Sequence, residues 1–411
     1  LQQAFILLKN KNSKSGISKK LLLLTILLSV FFFCGAQNTI YVSVKGNDNN
    51  PGTLVKPFKT LQAAITNAIS LSVKDVPIEM RGGTYSLLKT IEITANNFSA
   101  GSLNIRPYQN EKVTITGSEK IQLHWQPYKN AILKAALDVT KSPDQLFING
   151  KAAHMARYPN YDATARVYNG TAEDAISDER VKTWKNPAGG YIHALHEGEW
   201  GSFDYLITGK DENGKLTYVG GWQNNRPASM NKKYRFVENI FEELDAPGEW
   251  FYDAASKIIF LYPPKGIDIK NAEITISQLT DLIHMKGNSS NPLKNISISN
   301  ISFTQTARTF MQTKEPLLRS DWTIYRGGAI LLDGTENVHI SNCTFFELGG
   351  NAVFVSNYNK NDVLRDNNIY NIGGNAIAFV GNPDAVRSPA FRYERFVPWN
   401  EMDYTPGPKR K

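Results

Sequence analysis

Four carboxylates and two guanidinium groups fall within a short stretch of the chain: Glu315, Asp321, Asp333 and Glu347, with Arg319 and Arg326 among them. Hydrolysis of a glycosidic bond takes two carboxyl groups, one to donate a proton and one to activate water or attack the sugar. Elimination across a uronate takes a base for the proton beside the carboxyl group, and a cation (Ca²⁺, Arg or Lys) for the enolate. Asp321, Asp333 and Glu347 are the candidate catalytic residues. Each also has a plain reading: Asp333 as a turn residue before Gly334, Glu347 as a solvated corner charge, Asp321 and Glu315 as loop charges. The cluster argues more strongly than any member. Trp322 and Tyr325 offer rings on which a sugar could stack, or which could pack the loop onto the scaffold. Arg326 is a further candidate substrate contact. Arg387, with Asp384 in the Pro-bounded turn 383–389, is another, with a structural salt bridge as its alternative.

Little else in the sequence carries chemistry. His193 and His196 are three residues apart beside Glu197, a spacing that could hold a metal on a helix. The neighbouring Gly189, Gly190 and Gly198 favour a strand, which puts the two imidazoles on opposite faces, so no metal site is expected. Cys34 and Cys343 make neither a disulfide framework nor a metal set, and Cys343 reads as a small buried apolar residue. No phosphate loop, nucleophile elbow or dinucleotide fingerprint is present. No cofactor is expected, except Ca²⁺ if the reaction is elimination.

The elements that must position these residues show themselves as a repeat. Residues 337–352 read NVHISNCTFFELGGNA and residues 361–376 read NDVLRDNNIYNIGGNA. Laid over each other, Ile340 meets Leu364, Phe345 meets Ile369, and one Gly-Gly-Asn-Ala run meets the other. Self-similarity at a fixed period is the mark of a solenoid. The units are too short for paired helices, and they alternate apolar and polar residues with Asn or Gly at the corners, so each is one coil of short strands. Residues 295–303 match 337–345 and give an earlier copy, separated by one coil plus an insertion. The inserted residues, 305–326, replace the short turn that holds Glu347 in the next coil. The loop must therefore leave the stack beside Glu347, with Asn371 in the equivalent place one coil on. Long loops on a rigid repeat usually carry function. The expected site is a groove where this loop folds over the Glu347 corner, with Asp321, Tyr325 and Arg326 on one wall. Asn300, Asn342 and Asp366 also align and are expected to form a corner ladder that bonds backbone groups.

Upstream, residues 38–43 read as a strand, the Asn- and Gly-rich residues 46–53 as a turn, and residues 57–65 as the opening of a helix. Thr60 is its N-cap, and Leu61, Ala64, Ile65 and Ala68 lie on one face. Such a helix covers the open end of a solenoid. The order Tyr41-Val42-Ser43, Gly46-Asn47-Asp48, Asn50-Pro51-Gly52-Thr53, Lys56-Pro57-Phe58 and Leu61-Gln62-Ala63-Ala64, followed by Arg81-Gly82-Gly83-Thr84-Tyr85, resembles the opening segment of secreted bacterial right-handed parallel β-helix proteins, the pectate-lyase-like superfamily. The resemblance implies the fold. It implies polysaccharide lyase or glycoside hydrolase chemistry only broadly, and it assigns no catalytic residue. Between residues 144 and 264 the period is lost and aromatic residues accumulate, including four of the seven Trp. This block resembles the β-rich domain inserted between early and late coils of β-helix glycoside hydrolases.

The expected fold is all-β: a right-handed parallel β-helix with an N-terminal capping helix and an inserted β-rich lobe. The expected parts are a leader and signal peptide (1–36), cap and first coils (37–143), the inserted domain (144–264), later coils (265–382) and a Pro- and Arg-rich end (383–411). That end returns to no coil and no cap follows it, so the C-terminal coils are expected to be missing from the chain. Lys19-Lys20, the apolar run 21–33 and Cys34-Gly35-Ala36 have the order of a signal peptide, and the run is too short to span a membrane. A secreted or periplasmic protein is expected, with a lipid anchor on Cys34 as the alternative. The formal net charge is +8, and Lys9, Lys11, Lys14, Lys19 and Lys20 supply five of those charges, leaving about +3 on the remainder. No basic cluster interleaved with aromatics points to nucleic acid. The partner expected is a polysaccharide or oligosaccharide, and the protein is expected to be a monomer. Hydrolysis through paired carboxylates leads, with a polysaccharide lyase and a non-catalytic carbohydrate-binding protein as alternatives.

Overall fold

The computed structural model describes residues 39–71, 75–98, 100–223, 228–316 and 322–382. Three parallel sheets run along a stack of coils. Sheet A holds Ile40–Val42, Asp75–Met80, Ser102–Pro107, Ile296–Ser299, His339–Ser341 and Val363–Arg365. Sheet B holds Gly83–Ser86, Val113–Thr116, Ser302–Thr304, Thr344–Leu348 and Asn368–Ile372. Sheet C holds Ile91–Thr94, Ile283–Lys286, Ile330–Glu336, Val353–Lys360 and Ile377–Val380. Each coil visits A, B and C in turn and rises by one strand spacing, about 4.8 Å.

The register is the one the repeat predicts. Ile298 pairs with Ile340 and Ile340 with Leu364. The column continues back through Ile105 and Ile78 to Ile40. Phe303, Phe345 and Ile369 form the second predicted column, and the two Phe rings stack at 5.0 Å between centroids. Alternation with period two sends these residues inward, so like side chains lie over like along the axis. Cys343 lies in the same core, where burial pushes its thiol up to about 11 and leaves it unreactive.

The corners explain the Asn spacing differently from the expectation. Asn295, Asn337 and Asn361 have left-handed backbone, as do Asn300, Asn342 and Asp366. Asn and Asp tolerate that region better than other side chains, so these columns are set by backbone conformation. A side-chain ladder bond occurs instead in the neighbouring column, from Asn337 Nδ2 to Asn295 Oδ1 at 3.3 Å. Gln305, Glu347 and Asn371 form a third left-handed column.

The helix Leu61–Ser70 is capped as predicted, Thr60 Oγ1 accepting from the Ala63 N–H at 3.1 Å. Its buried Leu61, Ala64, Ile65 and Ala68 join the core of the first coils.

Two excursions leave the stack at one corner, where sheet B passes to sheet C. The first covers residues 117–282, between Val113–Thr116 and Ile283–Lys286; the second covers residues 305–329 in the next coil. In the following coils the same corner is closed by Gly349-Gly350-Asn351-Ala352 and Gly373-Gly374-Asn375-Ala376. A Cβ on Gly349 would lie 2.3 Å from the Ala307 carbonyl carbon, so only glycine lets the short corner pass under the long loop.

The first excursion builds two sheets. One has eight strands and includes Ser118–Ile121, Leu146–Ile148, Lys151–Met155, Glu249–Asp253, Ile258–Leu261 and Ile274–Ser277. The other has five, among them Met230–Glu238, Tyr191–His196 and Ser202–Lys210. The later coils were expected from residue 265, with Ile274–Ser277 among their strands. Instead Ile274–Ser277 pairs antiparallel with Leu146–Ile148 and with Ser118–Ile121, and the stack resumes at Ile283. Its alternating Ile residues suit either sheet, and only the antiparallel partners decide between them.

Candidate functional site

The second excursion is fastened to the first from its opening residue. Gln305 Oε1 accepts from Ser118 Oγ, and from Thr275 Oγ1 at 2.9 Å. Ala307 N–H donates to the Leu279 carbonyl at 2.7 Å. Arg308 then reaches into the lobe. Its backbone N–H donates to Asp144 Oδ2 at 2.6 Å and its Nε to Asp144 Oδ1 at 3.0 Å. Its Nη1 donates to Glu238 Oε1, and its Nη2 contacts Met155 Sδ at 3.2 Å. Glu238 also meets His193 Nε2 at 3.1 Å, and His193 Nδ1 meets Asp204 Oδ1 at 2.6 Å.

Charges of alternating sign thus run through the base of the lobe: Asp204, His193, Glu238, Arg308, Asp144. Burial alone would raise the Glu238 carboxyl, but Arg308 and then His193 outweigh it and hold it well below the usual carboxylate range. Burial alone would lower His193, yet Glu238 and Asp204 on its two nitrogens push it up to about 9. Burial likewise opposes the charge on Arg308, and Asp144 and Glu238 more than restore it. Buried charges persist when paired and hydrogen-bonded in this way.

Above this chain lies a cleft of about 550 Å³ between the lobe and the loop. Asp144, Arg308 and Met155 line it at the base, and Tyr191, Phe251 and Phe310 present rings. Asn186, Asn239 and Gln312 bring amides, and Lys141 and Asp253 bring charges. Phe310 meets Tyr191 edge-on at 5.1 Å, and the Arg308 guanidinium lies 4.9 Å from the Phe310 ring centre.

The residues singled out by spacing fall elsewhere. Asp333 lies on sheet C and accepts from Asn357 Nδ2 at 2.8 Å. Glu347 lies at the end of a sheet B strand and accepts from Asn371 Nδ2 at 3.2 Å. Burial pushes the Glu347 carboxyl up, and the Asn371 bond offsets part of that. The two carboxylates sit on different sheets, each paired to the Asn one coil on, so they do not form the expected facing pair. Asp321 and Arg387 lie outside the described residues.

The expected substrate contacts fasten the loop instead. Trp322 packs on the five-stranded sheet, 6.0 Å from the Phe203 ring, and a Cβ on Gly201 would lie 2.6 Å from its indole. Tyr325 OH donates to Asp281, which also accepts the Gly328 N–H at 2.6 Å. Arg326 donates to Glu315 Oε2 at 2.8 Å, to Ser356 Oγ at 2.8 Å and to the Gly381 carbonyl at 3.0 Å. With their polar atoms engaged and Trp322 packed inward, none of the three forms the wall of an open groove. The loop lies down across sheet C rather than overhanging the Glu347 corner, which is why Phe354, on an outward position of that sheet, is fully buried.

His193 and His196 lie on a strand, with a bulge between Ala194 and His196. His193 belongs to the charge chain, while His196 stacks on Trp200 at 4.9 Å. Among the described residues no group of three or more His, Cys, Asp or Glu is placed to hold a metal ion. Arg308, Asp144 and Glu238 were not singled out from the sequence. One signal was available: Arg308 stands in the run Thr306-Ala307-Arg308-Thr309-Phe310, and a charge held among small and apolar residues needs a buried partner.

Comparison with known proteins fits this architecture. The family model for a right handed beta helix region matches residues 231–388. Pectate lyase PEL9 of Emericella nidulans is 27% identical over 190 residues, which are 46% of this chain and 40% of that protein. The chain is a right-handed parallel β-helix protein. The uncharacterized protein YwoF of Bacillus subtilis is 27% identical to this β-helix protein over 157 residues, 38% of this chain and 31% of that one. The chain therefore spans 40% and 31% of the length of these two relatives. A solved structure described as a glycoside hydrolase superposes with a TM-score of 0.64 at 20% identity, covering 80% of this chain and 65% of that one, a likeness of fold. Among the described residues of the β-helix protein, no helix is long and apolar enough to cross a membrane.

Proposed function

We propose that this β-helix protein is a secreted carbohydrate-active enzyme, a glycoside hydrolase whose saccharide lies in the cleft between the lobe and the loop. The observation that carries this reading is the shared corner: two excursions in successive coils leave at one place and wall off a cleft lined by rings and amides. Rings that cover apolar sugar faces and amides that bond hydroxyls are the chemistry of saccharide recognition. Two carboxylates, Asp144 and Asp253, line the same cleft and are the pair we assign to hydrolysis. Asp253 would protonate the leaving oxygen, and Asp144, paired with Arg308, would activate water or attack the sugar. Tyr191 and Phe310 would hold the ring against them.

A lyase is the second reading, favoured by the similarity to a pectate lyase. It calls for Ca²⁺ or a free cationic side chain at the enolate. The described residues offer no metal-holding group, so no step is routed through a metal.

The test is a screen of the full-length enzyme on neutral and acidic polysaccharides, reading new reducing ends and unsaturated products separately. Reducing ends without unsaturated products, lost by a factor of roughly 10² or more in Asp144→Asn and Asp253→Asn, support hydrolysis at the cleft. Unsaturated products would replace it with the lyase reading. Full turnover in both variants would remove this pair from the mechanism.

A further inference from the structure

The charges around the cleft say which saccharides it admits. We infer that the cleft takes a neutral saccharide and excludes one bearing carboxylates, an inference that rests on the proposed placing of the saccharide there.

Arg308 is the cation in the cleft floor, and its hydrogen-bonding edges are already taken. Nε and Nη2 face Asp144 together, at 3.0 and 2.9 Å, and Nη1 is held by Glu238. The Nη2 group also meets the Met155 sulfur. A uronate is bound well by arginine only when two parallel N–H groups are free on one edge. Here no edge is free. The guanidinium face is engaged too, over the ring of Phe310.

The balance of charge points the same way. The floor chain holds two cations, Arg308 and His193, among three carboxylates, Asp144, Glu238 and Asp204, and so carries one surplus negative charge. Lys141 and Asp253 add one charge of each sign to the cleft lining. A ligand carboxylate entering the cleft would lose its water and find no unengaged arginine edge to replace it, at a place where charges are weakly screened. A neutral sugar loses nothing of this kind, and its hydroxyls find the amides of Asn186 and Gln312. Exclusion through an unpaired charge is a general route to specificity.

The experiment is titration calorimetry of the full chain at two salt concentrations. The probes are short neutral oligosaccharides from cellulose, xylan and galactan, and the galacturonate tetramer. At least one neutral probe should bind, with an affinity insensitive to salt, at least about a hundredfold tighter than galacturonate. Gln312→Trp, an exposed change that fills the cleft, should abolish it. Asp144→Asn removes one negative charge beside the guanidinium, and should strengthen galacturonate binding by about tenfold or more. Galacturonate binding as tight as the neutral probes, and weakened by salt, would overturn the inference while leaving the cleft as a saccharide site. Neutral binding untouched by Gln312→Trp would instead overturn the placing of saccharide in the cleft, and the inference with it. Failure of every probe to bind would overturn both. Neutral binding without hydrolysis would support the inference and count against the hydrolase reading.

Discussion

Arg308 and Asp144, 164 residues apart, are joined by two hydrogen bonds, one from the arginine backbone N–H and one from its Nε. One belongs to the loop of a late coil and the other to the lobe that leaves the coil before it. The pair closes the base of the cleft and makes lobe and loop one unit.

Removing Arg308 should therefore destabilise more than a loop substitution normally does. Arg308→Ala leaves Asp144 and Glu238 buried without their cation, a change expected to cost about 3–5 kcal/mol. Denaturant unfolding of variant and wild type checks it. A loss under about 1 kcal/mol would mean that water reaches the carboxylates and the chain of charges is not a structural unit.

The same chain gives a pH dependence with a definite sign. The His193 imidazole is raised from the ordinary 6.5 to about 9, so the stability it adds is complete below 6.5 and is lost as pH rises through 9. The Glu238 carboxyl is lowered from 4.5, so its share is complete above 4.5 and is lost only under strong acid. Between pH 6.5 and 9, stability should fall by up to about 3 kcal/mol. His193→Gln should flatten that slope. Thermal unfolding across this range decides the matter, and an equal slope in both proteins would place the titration elsewhere.

Glu347 occupies a left-handed corner position, in a column whose next member is Asn371. Left-handed backbone costs most residues about 1–2 kcal/mol and Asn less, so Glu347→Asn should raise the melting temperature slightly. It should also leave turnover of the full-length enzyme intact, because the cleft lies elsewhere. A large loss of activity in a stably folded variant would return Glu347 to the catalytic candidates.

Gly349→Ala tests how the short corner supports the long one. The added methyl would meet the backbone of Ala307 and Arg308, at 2.3 and 2.4 Å from Ala307 C and Arg308 N, with no flexible side chain to give way. A loss of about 1–3 kcal/mol is expected, with weakened saccharide binding because Arg308 is displaced. Unchanged stability and binding would show that the corner can relax without moving the cleft.

The coils were legible in the sequence because their determinants are local and repeated. Ile298, Ile340 and Leu364 could be placed in one column before any coordinates, since a parallel coil puts like positions over like and the period can be counted. Thr60 as a helix cap and the corner from which residues 305–326 depart follow from the same short-range logic. The candidate site was not legible in this way. Glu315, Asp333 and Glu347 are close in sequence, but neighbouring strands of one coil face different sides, so proximity along the chain did not bring Asp333 to Glu347. Arg308, Asp144 and Glu238 carry no shared period and come from separate excursions, and Ile274–Ser277 has the alternation of a coil strand yet pairs with the lobe. Only the tertiary structure decided these, because a buried charge selects its partner by where two independent segments meet, and a strand with one apolar face accepts whichever sheet edge is left open to it.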